Sequence, residues 1–458
     1  MSNQTNTVSR ILANSSLNFR ICITENSLKL PDGIQSFCVG IRKQKWLLIG
    51  GRSNGLHGFS NTDQNFPVNK QNVIIYVVDI KKNCIYRRSL IDPKSELKKN
   101  QIDYLSVTNA QFCQDDDLLY ITGGYGINSQ TQLFETAPIL SIIDIKGLIN
   151  WVRHPESNLI AVRNITQLND PIFQITGGSM SLFKDIFLLV FGQTFNGIYS
   201  FNDPPTFTQI YSNQVRKFQL CQKKGKYEIQ KSSYHPIHKD PNYRRRDLNV
   251  LSRIRNDKKH LIESLVAYSG VFTVGEGIWT VPVEISNEGE TQMADPNNKQ
   301  TFKQGLNNYA CASVPMYSID RKEMYTIFFG GMTFQYFNNG VLQSDYEIPF
   351  TNECTTIKID SHGKYSQYLM DNKYPVIFST SVNSGNQLLF GSGAQLIIDS
   401  KIKTIENNGR VIDYDQLSHG NVKIGYIVGG IQSTIPNTSS NSDTSASNRI
   451  FDVSINIL

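Results

Sequence analysis

The residues able to do chemistry in this sequence fall into a few polar clusters. Arg52, Asn54 and His57 lie within six residues of one another, offering a guanidinium fork, an amide and an imidazole capable of acid–base work. Three consecutive arginines, Arg244, Arg245 and Arg246, could grip carboxylate, sulfate or phosphate in bidentate fashion, with Tyr234 and Tyr243 as stacking faces nearby. His235 and His238 are close in sequence, but no helix or third ligand accompanies them, so no metal is expected. Asp185, Glu276 and Asp345 are scattered, and no Gly-x-Ser-x-Gly nucleophile elbow occurs. No cofactor motif is present, and a lone loop imidazole is more at home as a hydrogen-bonding residue than as a catalyst.

These groups sit on loops of a repeated unit. A short apolar strand followed by glycine recurs at residues 46–51, 118–124, 187–192, 325–331 and 425–430. Two glycines after a strand permit positive φ and close approach of a neighbouring sheet; none of them opens a helix, as a phosphate loop would. With 21 Tyr and 24 Phe, the composition favours strands. Successive strands are predicted at 36–41, 46–49, 73–80 and 84–90, then at 110–113, 118–122, 139–145 and 148–152. A third unit is expected at 173–178, 186–191, 215–220 and 227–229, and a fourth, irregular one at 265–273 and 277–285. The fifth covers 310–317, 324–329, 354–360 and 365–370, and the sixth 388–397, 424–428 and 449–457.

The sixth unit is one strand short, while residues 18–24 form a strand with no local partner. Pairing them closes a ring and removes exposed sheet edges. The expected fold is therefore all-β, a six-bladed propeller closed by the N-terminal strand, with seven blades as the alternative. Residues 1–17 are expected to be a flexible segment and 18–458 a single propeller domain.

The strand and Gly pair of Leu48, Ile49, Gly50 and Gly51, with Tyr76 to Asp79 ending a third strand, resemble the kelch repeat and the central domain of the galactose oxidases. The resemblance implies a β-propeller and extends over residues 18–458 in rhythm. It implies no copper site, since nothing matches that ligand set. Some kelch-like propellers are sugar-acid mutarotases or lyases, which makes a carbohydrate-active enzyme, including a hydrolase, the alternative to a binding module.

In a four-stranded blade the connections from second to third strands emerge on the same face as the segments leading into first strands. That face should carry Arg52, Asn54, His57, Tyr125, Asn128, Gln193, Asn196, Gln335 and Gln432 from the first class, and Asn307, Asn308 and Tyr309 from the second. Amides, hydroxyls and aromatic rings suit a glycan or a protein segment. Between residues 216 and 259 there are 14 Lys/Arg against 4 Asp/Glu. This stretch reads as a basic connector able to meet an anionic surface or partner, although no nucleic-acid module accompanies it. The seven cysteines lack paired spacing and are expected to be reduced. No apolar run spans a bilayer and no signal peptide is evident, so a cytoplasmic monomer is expected.

Overall fold

The computed structural model describes residues 11–13, 17–58, 63–200, 205–257, 260–275, 277–338, 341–438 and 442–458. Six antiparallel sheets form the blades of a β-propeller, as the repeat predicts; five are four-stranded and the fifth blade carries a short parallel strand along each edge. Blade 1 contains Cys38–Arg42, Lys45–Ile49, Ile74–Asp79 and Cys84–Ser89, and blade 2 contains Gln111–Asp115, Leu118–Thr122, Ile139–Asp144 and Ile165–Asn169. Blade 3 is Ser179–Phe183, Ile186–Val190, Val215–Lys223 and Lys226–His235; blade 4 is Asn249–Asp257, His260–Tyr268, Val283–Ile285 and Thr291–Met293. Blade 5 is Ala312–Ser318, Glu323–Met332, Phe350–Ile359 and Tyr365–Leu369. Blade 6 takes Gln395–Ile398, Gly420–Val428 and Arg449–Ile457 and receives Phe19–Lys29 as its outermost strand.

Closure by the early strand follows from its alternation: Phe19, Ile21 and Ile23 are buried while Arg20 and Thr24 are exposed. Within the segment expected to be flexible, Ile11–Ala13 lies parallel to Tyr365–Leu369. Residues 1–10 and 14–16 lie outside the described residues.

Three strand assignments are corrected. Residues 148–152 are not a strand but part of the helix Ile145–Arg153, capped by Asp144. Its buried Ile145, Leu148, Ile149 and Val152 follow the i, i+3, i+4, i+7 spacing of a helix face, and the fourth strand of blade 2 comes later, at Ile165–Asn169. In blade 3 the first strand starts after Gly178, at Ser179. In blade 4 the strand predicted at 265–273 is the end of the second strand, and the first is Asn249–Asp257. The basic stretch 216–259 is consequently not a connector: it builds the outer hairpin of blade 3 and the inner strand of blade 4.

The Gly pairs explain how blades join. Gly123 and Gly124 have φ of 64° and 82°, and a Cβ on Gly123 would stand 1.8 Å from the Ile175 carbonyl oxygen at the start of blade 3. With no side chain in the way, the Gly124 N–H donates to that oxygen at 2.8 Å. The same bond runs from Gly51 to Val107, Gly192 to Arg245, Gly331 to Phe390 and Gly430 to Ile34, at 2.8–2.9 Å. In blades 3 and 4 the first place of the pair is held by Phe191 and Ser269, both at positive φ.

A second series of bonds encircles the axis. Ser36, Asn109, Gly177, Asp247, Ala310 and Gly393 occupy equivalent left-handed positions with φ between 49° and 66°. Backbone N–H groups donate from Ser36 to Gly393 (2.8 Å), Asn109 to Ser36 (3.2 Å), Gly177 to Asn109 (3.0 Å), Asp247 to Gly177 (2.7 Å) and Gly393 to Ala310 (2.6 Å). Among the described residues this collar and the Gly-pair series are both interrupted at the junction of blades 4 and 5, where side chains take over. The Ser269 N–H donates to Gln304 Oε1 (2.9 Å), Asn249 Nδ2 to the Asn308 carbonyl (2.8 Å) and Asn307 Nδ2 to the Trp279 carbonyl (3.1 Å). Aromatic pairs from second strands fill other junctions, such as Trp46 with Tyr426 at 4.9 Å and Tyr120 with Phe187 at 4.9 Å, each contributing about 0.5–1.5 kcal/mol beyond its buried area.

Candidate functional site at the mouth of the axial cavity

The collar surrounds a cavity of about 1680 Å3 along the propeller axis. On the side of the connections between second and third strands, its mouth is framed by paired strands. These are Tyr125–Asn128 with Leu133–Thr136, Gln193–Gly197 with Phe207–Tyr211, Gln335–Asn338 with Val341–Ser344, and Ile431–Ser433 with Thr444–Ala446. The residue following each Gly pair, or its equivalent, reaches the cavity wall: Arg52, Tyr125 and Gln193 from blades 1–3, and Val271, Met332 and Ile431 from blades 4–6. At this one position, then, the mouth is polar and aromatic in blades 1–3 and apolar in blades 4–6.

Arg52 is 2% exposed. Its Nε donates to Asn54 Oδ1 at 2.9 Å and Nη2 to the Pro67 carbonyl at 2.8 Å, while Nη1 has no hydrogen-bond partner among the described residues. Burial pulls this guanidinium down to about 10, with Tyr125 opposing, so it remains charged at neutral pH. His57 stacks on Phe66 at 4.8 Å, stands 5.6 Å from Tyr199, and holds the Gly58 carbonyl through Nδ1 at 2.9 Å. Burial, helped by the charges of Arg246 and Arg52 and opposed by the Gly58 bond and Asp247, takes the imidazole down to about 4. It is neutral at physiological pH.

Across the mouth, Arg246 forms an ion pair with Asp247 and donates from Nε to the Tyr211 hydroxyl at 3.3 Å. Burial disfavours the Arg246 charge, but Asp247 and Tyr211 outweigh it and hold the group above its ordinary value. Arg244 lies over the Tyr211 ring at 4.0 Å and donates to the Phe272 and Thr273 carbonyls. Gln209 donates to Gln193 Oε1 at 2.5 Å, and the Tyr309 hydroxyl contacts Met332 Sδ at 3.6 Å. The mouth therefore brings together the guanidinium groups of Arg52, Arg244 and Arg246, the clamped carboxylate of Asp247, a neutral imidazole, a paired amide and ring faces.

Of the residues anticipated from sequence, Arg52, His57, Tyr125, Gln193, Tyr309, Arg244 and Arg246 line this cavity. The others lie elsewhere. Asn54 supports Arg52, Asn128 donates to Glu135 Oε1 at 2.7 Å, and Asn196 Oδ1 accepts the Thr136 N–H at 3.3 Å. Asn307 and Asn308 are fully buried in the wall; Asn308 Nδ2 donates to the Gly330 and Glu353 carbonyls. Gln335 belongs to the blade 5 hairpin, and Gln432 Nε2 donates to Ser445 Oγ at 3.0 Å.

The three arginines do not share a surface. Arg245 is fully buried, donating to the Val281 carbonyl at 2.9 Å and lying 4.6 Å from the Trp279 ring. Asp185 accepts from Gln219 Nε2 at 2.6 Å and Asp345 from Asn437 Nδ2, neither carboxylate lining the cavity, and Glu276 lies outside the described residues. The sequence reading did not place Asp247, Phe66 and Gln209 at the site. Asp247 stands where Ser36 and Asn109 stand in blades 1 and 2, so aligning blade 4 on Ser269-Gly270 would have found it.

Among the described residues no three His, Cys, Asp or Glu side chains are grouped to hold a metal, and no helix is long and apolar enough to cross a membrane. The seven cysteines are free thiols. No family model matches the chain, and no curated protein matches it. Among solved structures, that of YjhT is similar, with a TM-score of 0.47 and 11% sequence identity over 92% of this chain and 95% of that one.

Proposed function

We propose that the propeller is a binding module whose axial mouth receives an acidic glycan. The observation that carries this reading is Arg52: a buried guanidinium on the cavity wall with Nη1 lacking a partner among the described residues. Leaving such a donor unsatisfied costs roughly 1–3 kcal/mol, and a carboxylate would satisfy it with a charge-assisted bond. Arg246 and Arg244 on the opposite wall supply further positive charge, the His57–Phe66 stack offers a flat face to a sugar ring, and the Gln193–Gln209 pair offers amide groups to hydroxyls.

Calorimetric titration with a uronic-acid oligosaccharide and with its carboxyl-reduced counterpart tests the reading. The acid is expected to bind about tenfold or more tightly, and Arg52→Lys, which keeps the charge but loses the fork, is expected to remove most of that advantage. Equal binding of both oligosaccharides would refute the assignment.

A second reading, acid–base turnover of an acidic sugar, is favoured by one observation: a neutral imidazole shares the mouth with an Arg-clamped carboxylate. A neutral histidine can take a proton from a ring hydroxyl. Following anomer exchange of the bound sugar by NMR distinguishes the two readings, since a pure binding module leaves the exchange rate at its uncatalysed value.

A further inference from the structure

The connection between the first and second strands of blade 6, residues 399–419, is far longer than its counterparts in blades 1 to 3, where two residues suffice: 43–44, 116–117 and 184–185. These connections all lie at the end of the axis opposite the mouth. The insert leaves blade 6 after Ile398, and its Ile412–Asp413 pairs parallel with Met316 and Tyr317 on the inner strand of blade 5. Ile405 and Val411 pack with Ile254 of blade 4 and with Tyr317, Met324 and Ile359 of blade 5. Asp415 accepts from Ser318 Oγ at 2.7 Å and from the Ile319 N–H at 2.6 Å.

Arg410 carries the insert furthest. Its Nη1 donates to the Leu182 carbonyl of blade 3 at 2.8 Å, and its Nη2 pairs with Glu263 of blade 4 at 2.9 Å. In a ring of six, blades 3 and 6 face each other across the axis. The segment thus starts on blade 6 and, by way of blades 5 and 4, reaches blade 3 on the opposite side of the ring. Residues 399–404 and 408–410 accordingly belong to the cavity lining together with the mouth residues.

We infer that this insert is a plug that makes the channel a blind pit, so that a glycan enters end-first and only a chain terminus is recognised. The inference rests on the reading that the pit holds an acidic glycan. A through-channel could accept the interior of a chain; a pit closed by residues of its own wall cannot, because an interior segment needs two exits. The plug then determines specificity by position: acidic sugars at a terminus reach Arg52 and Arg246, whereas the same sugar flanked on both sides is held outside.

Two measurements test it. In calorimetric titration of the full chain, an oligosaccharide with a terminal uronic acid is expected to bind at least about tenfold more tightly than an isomer with that acid internal. If both bind equally, end-first recognition is overturned while acid recognition stands; if neither binds, acid recognition itself fails. The plug is tested independently of any glycan through Cys113, which lines the cavity. Labelling by a charged thiol reagent, resolved at Cys113 by mass spectrometry, should be several-fold faster in the double variant Arg410→Ala, Glu263→Ala, with circular dichroism confirming the fold. The milder Arg410→Lys serves if that variant is unfolded. Unchanged labelling of a folded variant means that the insert does not close the far end, and the inference falls.

Discussion

Three adjacent arginines have three different surroundings, which shows how little residue type alone decides. Arg245 is enclosed by carbonyls and the Trp279 ring, Arg244 lies on Tyr211, and Arg246 reaches the axial cavity with Asp247. Sequence revealed that guanidinium chemistry was available but not which way each fork points, because that depends on the turn at 241–243 and the left-handed Asp247. His57 was legible as a loop imidazole; its burial between Phe66 and Tyr199 was not, since Phe66 lies nine residues on and Tyr199 two blades away. That burial has a measurable consequence. The folded protein holds the imidazole near 4 against an ordinary value of 6.5, so an unfolded chain binds this proton more readily. The stabilisation is complete above pH 6.5 and is lost progressively as pH falls toward 4. Thermal melts of the wild type and His57→Gln between pH 7 and pH 4 should show the wild type losing about 1–3 kcal/mol relative to the variant. A difference between the two proteins that stays constant with pH would mean that His57 titrates as an exposed imidazole.

At the level of elements, the glycine pairs made four blades readable and concealed two. Phe191 and Ser269 fill the first place of the pair in blades 3 and 4, so a search for two glycines shifts the frame there. Blade 4 was further obscured by its inner strand, Asn249–Asp257, whose Arg253 and Arg255 give it the composition of a solvated loop. In the fold Arg253 is buried and paired with Glu284. The helix Ile145–Arg153 was misread although its apolar spacing is helical, because Ile149, Trp151 and Val152 are also strand formers. The stitching role assigned to the pair makes a steric prediction. Gly123→Ala should cost about 3 kcal/mol or more, because the new Cβ meets the Ile175 oxygen of the next blade at 1.8 Å and also inherits a φ of +64°. Gly225 has a similar φ of +77° but open space around it, so Gly225→Ala should cost about 1–2 kcal/mol from the backbone alone. Denaturant unfolding of the two variants separates the terms; equal losses would mean that contact between blades is not what excludes a side chain at Gly123.

For the whole molecule, the closed ring was the most legible feature, since a sixth unit lacking one strand and an unpaired strand near residue 20 admit one economical solution. What sequence could not show was the second closure, across the axis, because the 399–419 insert reads as an ordinary polar loop until its bonds to three other blades are seen. Ring closure itself is held by the ladder between Phe19–Lys29 and Arg449–Ile457, in which Cys22 stands opposite Ser454. The Cα atoms of directly opposed residues on antiparallel strands lie about 4.5–5.5 Å apart, within the span of a disulfide. Ser454→Cys should therefore allow a bond to Cys22 under oxidising conditions. Because that bond closes a loop of nearly the entire chain, the entropy removed from the unfolded state stabilises the fold by about 5 kcal/mol, reduced by any strain in the ladder. If separation of these two strands is the step that opens the propeller, the oxidised variant should also unfold more slowly than the reduced one, since the edges of blade 6 cannot part. Unfolding rates in denaturant with and without reductant provide the check, with the unchanged protein as control for the other six thiols. An oxidised variant that unfolds as fast as its reduced form would show that the ring opens at another junction, and the interrupted collar between blades 4 and 5 would then be the place to move the crosslink.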